Sequence, residues 1–370
     1  MVMVPEPLDH RLFDCVQVNL AELADRLHGE GTHLALGRVL RFWPRPGADG
    51  IPTVEPLVDS QVAESAGLLG LRVTRRARIA SADELEPGPG CYVVADAYHL
   101  PWVPYHRKQH LEHSFLVEPA GDGVTVVDGY HNDTQWGAAR PGRWTLDHAE
   151  LAEALPGGAL TFAIVAGDRP AGRAPLVELA DAHAYVATYA DHPDRVRALQ
   201  GLTLQTWLLT RSRRLHAAAM GLDTEAVHAH LAEWDALAKQ VYLASRRVTA
   251  GRDEPRSVFG RLADCLAADH TAFEGTAGTT TESTVDTIGV PPEVRESVAA
   301  VIRTVLGTGP AEGDHALGDI PGFSSFRMME IVERIESDLG VEFAAEDLVP
   351  EKLTHVDGLC RAVLDAGGTR

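Results

Sequence analysis

Apolar residues recur at i, i+3 and i+4 through most of residues 170–273, the period of helices that bury one face. The spacing predicts four helices: Leu176 to Ala190, Val196 to Met220, Thr224 to Arg247 and Ser257 to Phe273. Trp207, Trp234 and Tyr242 are placed to pack between them. The same period returns after residue 290. An apolar helix runs from Val294 to Leu306, and in a second Phe326, Met329, Val332, Ile335 and Leu339 share a face that Gly340 closes as a C-cap. Thr354-His355-Val356-Asp357 opens a last short helix with capping residues. Before residue 169 the pattern is mixed. A helix follows Cys15, with Leu20, Leu23, Ala24 and Leu27 on one face. Apolar strands occur at Cys91–Ala97, Ser114–Glu118, Val124–Asp128 and Ala159–Val165, with Gly/Pro turns between them. Glu274 to Thr287 has no apolar period and is rich in Thr, Gly and Ser, which marks a linker. The expected division is a mixed domain over 1–168, a helical domain over 169–273, a linker over 274–289 and a helical domain over 290–370. No internal repeat is visible.

Length and charge narrow the function. A chain of 370 residues is long enough for two or three domains with a sizeable core. Acidic residues outnumber basic ones by 53 to 33, which argues against nucleic acid or an anionic membrane surface as partner. Residues 290–370 hold 15 Asp/Glu against 7 Lys/Arg. Glu330, Glu333, Glu336 and Asp338 make the helix after Ser325 strongly acidic. Cys15, Cys91, Cys265 and Cys360 are scattered, without the short spacings of a zinc or redox motif. The N-terminus shows no basic region followed by a long apolar run, and no stretch approaches transmembrane length. A reduced, cytoplasmic setting with free thiols is expected.

Cys15 stands at the N-terminal end of its helix, where unpaired N–H groups and the helix dipole stabilise a thiolate. A buried cysteine acting as a small hydrophobe is the alternative. Further along, His113–Glu118 and Gly123–Asp128 flank a turn. If Glu118 pairs with Gly123, His113 faces Asp128 directly, with Cβ atoms about 5 Å apart. A tighter turn centred on Gly121-Asp122 would place Tyr130 opposite His113 instead. An aspartate accepting the imidazole Nδ1–H would leave Nε2 free for the thiol. Cys15 is then the candidate nucleophile, His113 the base and Asp128 the group that orients it. For the oxyanion, the backbone N–H of Cys15 is the natural donor and Gln17 a second candidate. His99, His106, His110 and His113 cluster, but no HExxH or familiar ligand spacing accompanies them, so no metal is expected.

The order Cys, His, Asp, with the cysteine opening a helix and the pair on a following sheet, is the papain-like order. Val94-Ala95-Asp96-Ala97-Tyr98-His99-Leu100-Pro101-Trp102, then His110-Leu111-Glu112-His113-Ser114-Phe115 and Val127-Asp128, resemble the butirosin-biosynthesis acyltransferase (BtrH-like) family over about residues 8–168. The resemblance implies a papain-like fold that moves an acyl group from a carrier protein to an amine through a cysteine. The glycine-rich segment of that family is poorly matched by residues 34–46.

The second resemblance rests on Ile320-Pro321-Gly322-Phe323-Ser324-Ser325-Phe326-Arg327-Met328-Met329-Glu330-Ile331, a loop that runs into the acidic helix. It is similar to the Asp-Ser-Leu-x-x-x-Glu-Leu motif of acyl and peptidyl carrier proteins, with Glu330 five and Ile331 six residues after Ser325. Ser324 stands where that motif has aspartate, and Phe326 where it has leucine. Register selects Ser325, although either serine could simply cap the helix. The resemblance covers about residues 290–367 and implies 4'-phosphopantetheine attached to Ser325.

Together these predict an α+β chain: a papain-like cysteine-peptidase-type domain, a helical segment and a four-helix carrier domain. The expected activity is transfer of an acyl or aminoacyl group from the carrier thioester, through an acyl-cysteine, to an amine or hydroxyl acceptor. A thioesterase or cyclase differs only in its acceptor, and a non-catalytic scaffold presenting the carrier is the competing class. Implied partners are a phosphopantetheinyl transferase, an acyl-loading enzyme of a polyketide or nonribosomal peptide pathway and a small-molecule acyl acceptor.

Overall fold

A computed structural model describes residues 8–47, 50–170, 174–255, 257–274, 290–310, 315–323, 325–343, 347–348, 350–353 and 355–367. Of the linker predicted over 274–289, Glu274 ends a helix instead and 275–289 lie outside the described residues, as do Ser324, Thr354 and the side chains of Ser325 and Phe326. The helices are α1 (Cys15–His28), α2 (Val58–Leu68), α3 (His148–Ala154), α4 (His183–Asp191), α5 (Arg195–Met220), α6 (Glu225–Thr249), α7 (Ser257–Glu274), α8 (Pro292–Leu306), α9 (Ser325–Leu339), α10 (Pro350–Leu353) and α11 (Val356–Asp365). The strands are β1 (Val39–Phe42), β2 (Arg45–Pro46), β3 (Pro52–Thr53), β4 (Leu71–Ile79), β5 (Cys91–Asp96), β6 (Glu112–Ala120), β7 (Gly123–Asp128), β8 (Asn132–Thr134), β9 (Gly137–Ala139), β10 (Gly142–Leu146), β11 (Ala159–Ala166) and β12 (Leu176–Leu179). This is a mixed α and β chain with two compact units, residues 1–43, 54–179 and 211–222 in one, and 44–53, 180–210 and 223–370 in the other.

The first unit is built on a six-stranded antiparallel sheet in the order β10-β7-β6-β5-β11-β4. The central strand β5 is buried along almost its whole length, and Phe115 and Val117 of β6, Val126 of β7 and Phe162 of β11 continue that core across the sheet. Helix α1, in which Val18, Leu20 and Leu23 are buried, packs against the sheet at β6. The hairpin between β6 and β7 closes in two residues, Gly121-Asp122, with Gly121 at a φ of +57°. Its register pairs Glu118 with Thr125 and Ala120 with Gly123. The tighter of the two turns is therefore the one formed, and the pairing of Glu118 with Gly123 is not.

One predicted element changes type. Leu176–Leu179 was expected to begin a helix; it forms β12, parallel to β1 with Val39 opposite Leu176 and Arg41 opposite Glu178. The run Leu176, Val177, Leu179 satisfies either period, and a partner strand far away in sequence decides between them. Arg41 Nε and the Glu178 carboxylate, 2.8 Å apart, add an opposite-charge pair directly across the strands.

In the second unit α6 and α7 pack around Trp234, which is fully buried. Residues 290–366 share one apolar core, in which Val298 and Ile302 of α8 meet Ile331 and Ile335 of α9 and Leu359 of α11. The predicted face of α9 is buried at Met329, Val332 and Ile335, and Gly340 ends the helix at a φ of +64°. Glu336 departs from expectation. Counted among the acidic residues of this helix, it is only 5% exposed and paired with Arg247 and Arg252. No helix among the described residues is long and apolar enough to cross a membrane.

Candidate active site

Cys15 is the first residue of α1, and Asp14 is the cap. Asp14 Oδ1 accepts the Gln17 N–H at 2.8 Å, while Oδ2 accepts from Gln61 Nε2 at 2.6 Å. The cap thus uses the N–H of Gln17; the Cys15 N–H has no partner among the described residues. The Cys15 thiol is half-buried, with Sγ 4.0 Å from the Glu112 carbonyl oxygen. The other three cysteines are buried, and burial pushes the Cys91 thiol up to about 11 and the Cys265 thiol up to about 12. Cys15 is the least buried of the four.

His113 projects from β6 and is 1% exposed. Its Nε2 lies 2.7 Å from Asp128 Oδ2, at the end of β7. Asp128 also accepts the Trp102 indole N–H at 3.2 Å and the Tyr130 backbone N–H at 2.9 Å, so both of its oxygens are engaged. The other imidazole nitrogen, Nδ1, is buried and makes no hydrogen bond of full geometry, with Cys15 beside it. Burial pushes the imidazole pKa down. The charge of Asp128, its hydrogen bond and the neighbouring Cys15 push it further up, to about 10. His113 is therefore held as an imidazolium next to the thiol of a cysteine that opens a helix.

Two details of the expected site are corrected. Asp128 takes Nε2 rather than Nδ1, so Nδ1 is the nitrogen left for the thiol. In the observed register Tyr130, not Asp128, continues opposite His113, and their rings meet edge to face with centroids 5.1 Å apart. Asp128 is the diagonal neighbour, two residues back on the same face, within reach of a long side chain. The two registers differ by two residues, which preserves the face, so the pair forms in either.

Residues without a sequence signal hold these groups in place. Asn19 is fully buried; its Nδ2 donates to the Cys15 carbonyl at 3.2 Å and the Ser114 carbonyl at 2.8 Å, and its Oδ1 accepts from the Gly129 N–H at 2.9 Å. One side chain thus ties the segments carrying Cys15, His113 and Asp128. Ser114 Oγ adds a bond to the Cys15 carbonyl at 2.5 Å. Arg211 donates to the carbonyls of His10, Phe13 and His131, bracing the approach to Cys15 and the segment after Asp128. Asn19 and Arg211 lie inside amphipathic helices and read in sequence as ordinary polar positions.

The histidine cluster divides, with His99 and His110 kept 6.3 Å apart between ring centroids and His113 in β6. His110 pairs with Asp96 at 2.6 Å and stacks on Tyr98 with centroids 4.2 Å apart, whereas His113 is buried in the sheet. Among the described residues no group of His, Cys, Asp and Glu is arranged to hold a metal ion. Ser325 is the first residue of α9 and belongs to the second unit, after an exposed turn at Pro321-Gly322 with Gly322 at a φ of +82°. Glu330 is exposed and paired with Arg327, and Ile331 is fully buried. In comparisons with known proteins, no family model matches this chain and no curated protein matches it significantly.

Proposed function

We propose that this protein is a cysteine-dependent acyltransferase that takes its acyl group from a thioester on its own Ser325 and passes it to an amine or hydroxyl acceptor. One observation carries the reading: a buried imidazole, fixed by Asp128 at Nε2, keeps an unbonded Nδ1 beside a cysteine that opens a helix. A structural His–Asp pair has no need of that open nitrogen. The helix-initial cysteine packed on an antiparallel sheet bearing the pair supports a papain-like arrangement. Helices α8 to α11 around one core, with Ser325 heading α9, support the carrier reading of the C-terminal segment.

Attached to Ser325, 4'-phosphopantetheine would supply a thioester at the end of a flexible arm. Cys15 Sγ would attack a thioester carbonyl delivered to it, with the backbone N–H of Cys15 donating to the developing oxyanion, and the thioester's carbon–sulfur bond would break. His113 gives its Nδ1 proton to the departing thiolate. An acceptor amine or hydroxyl then attacks the acyl-cysteine, His113 Nδ1 takes the acceptor's proton, and Cys15 leaves as thiolate. Asp128 keeps the imidazole oriented and stabilises its charged form through both halves.

The test is product formation from protein loaded on Ser325 with an acyl arm and given a primary amine. Cys15→Ser is expected to abolish transfer while the loaded arm persists. Full transfer by Cys15→Ser would make the first unit a scaffold.

A further inference from the structure

A solvent-facing His–Asp pair stands where β5 ends and β6 begins. His110 Nδ1 lies 2.6 Å from Asp96 Oδ2, and the imidazole stacks on the Tyr98 ring at 4.2 Å with the planes 11° apart. A ring nitrogen that faces a carboxylate carries the proton, so Nδ1 donates and Nε2 keeps its lone pair. Asp96 Oδ1 accepts the Tyr98 N–H at 3.0 Å, and the Ala97 N–H donates to the Leu111 carbonyl at 2.8 Å, closing the turn that carries both residues. Burial works against the Asp96 charge, yet the bonds from His110 and the Tyr98 N–H hold its carboxyl below the ordinary range. Unlike His113, this pair is wet: the His110 side chain is 69% exposed and that of Asp96 39%. His99, with its ring 6.3 Å from that of His110, and Glu112, the cross-strand partner of Asp96, are the neighbouring titratable groups.

Strand pairing puts this pair next to Cys15. On β5, Tyr92, Val94 and Asp96 share one face. Tyr92 donates its hydroxyl to the Val16 carbonyl at 3.0 Å, and Ser114, opposite Val94, donates to the Cys15 carbonyl at 2.5 Å. Asp96 is the next position along that row, opposite Glu112, whose carbonyl oxygen lies 4.0 Å from Cys15 Sγ. The row follows α1 to its first residue and ends in the exposed pair. Two residues, about 7 Å of chain, separate His110 from Glu112. The attacking nitrogen of an acceptor and one bridging water fill such a gap.

An alkylamine is an ammonium ion at pH 7, since its pKa lies near that of lysine, about 10.4. It must lose one proton before it can attack and a second as the amide forms. His113 can take only one of them: it starts as an imidazolium, gives its Nδ1 proton to the departing thiolate, and then has a single lone pair for the acceptor. We propose that His110, oriented by Asp96, takes the other, and that the acceptor is an alkylamine that arrives as its ammonium ion beside Asp96 and Glu112. His110 Nε2 removes a proton from R–NH3+, and the resulting R–NH2 attacks the acyl-cysteine carbonyl. The second proton passes from nitrogen to His113 Nδ1, and the carbon–sulfur bond breaks to leave the amide and the Cys15 thiolate. The exposed His110 imidazolium then returns its proton to water. This inference rests on the acyl-Cys15 reading and narrows the acceptor from amine or hydroxyl to amine.

The experiment uses the full chain, acetylated on Cys15 from the acetyl thioester of N-acetylcysteamine and freed of excess reagent. Loss of the acetyl mass from the Cys15 peptide is timed at pH 7 with ethylamine, or with methoxyamine, an amine already neutral there. The readout is the ratio of the two rate constants, which does not depend on how much of the protein is active. His110→Gln is expected to lower the ethylamine-to-methoxyamine ratio roughly 100-fold, the contribution of one positioned base. Asp96→Asn should lower it less, because the imidazole keeps its lone pair and loses only its orienting charge. Raising the pH toward that of the free alkylamine should bring the His110→Gln ratio back toward that of the wild-type chain. A ratio at pH 7 that His110→Gln does not change would overturn the proposal and leave the pair as a staple for its turn. Failure of Cys15 to take the acetyl group at all would overturn the acyl-Cys15 reading, and this proposal with it.

Discussion

Asp128→Asn separates charge from shape in the proposed triad. The substitution keeps the side-chain volume but removes the carboxylate that His113 Nε2, Trp102 Nε1 and the Tyr130 N–H all address. One of these donors then faces the amide NH2, at about 1–3 kcal/mol. The larger effect is on His113. Raising its pKa from 6.5 to about 10 is equivalent to at most about 5 kcal/mol of stabilisation of the charged imidazole. With the carboxylate gone, burial dominates and drives the imidazole below its ordinary value. In the wild-type protein this contribution is fully present below about pH 6.5 and is lost as pH rises through about 10. The variant has no such contribution, and forcing a proton onto its buried imidazole destabilises it further as pH falls. The stability gap should therefore be about 3–6 kcal/mol near pH 6 and shrink to about 1–3 kcal/mol near pH 10. Hydrogen exchange at β6 and β7 amides, converted to opening free energies, reads the first unit without interference from the second. A gap of equal size at both pH values would refute the reasoning, leaving Asp128 as a hydrogen-bond acceptor whose charge is irrelevant to His113.

Other consequences are checked more simply. Ser325→Ala should abolish the gain of roughly 340 Da expected on co-expression with a phosphopantetheinyl transferase, whereas Ser324→Ala should keep it; the reverse result on intact mass would move the attachment by one residue. Asn19→Ala should destabilise the first unit by about 2–4 kcal/mol in a urea melt, since it strands the buried Gly129 N–H and unties Cys15 from Ser114. Arg247→Met should raise hydrogen exchange in α9 and lower stability by about 3–5 kcal/mol, because Glu336 is nearly fully buried against it; Glu336→Gln should be milder, as the amide keeps neutral hydrogen bonds.

Local pattern carried most of the elements and the core of the site. Helix α1 and its N-terminal cysteine are legible because capping and a 3.6-residue period are local properties, and Asp14 does cap the helix. The His113–Asp128 pair is legible for a different reason: the sheet period of two keeps both on one face despite a misjudged turn. The choice of imidazole nitrogen depends on ring orientation, which no spacing reports. Long-range partners account for the rest. Leu176–Leu179 becomes a strand because Val39–Phe42 is there to receive it. Glu336 is buried because Arg247 and Arg252 meet it from another helix and the turn beyond it. Arg211 and Asn19 bind backbone carbonyls and amides, and such acceptors carry no residue-type signature.

The central claim is that Cys15 takes the acyl group from Ser325. The direct measurement is peptide mass spectrometry of protein loaded with an acyl arm, quenched in acid without acceptor. The account predicts the acyl mass on the peptide containing Cys15, its absence in Cys15→Ala and its strong reduction in His113→Ala. Transfer to acceptor with the acyl group never found on Cys15 would contradict it.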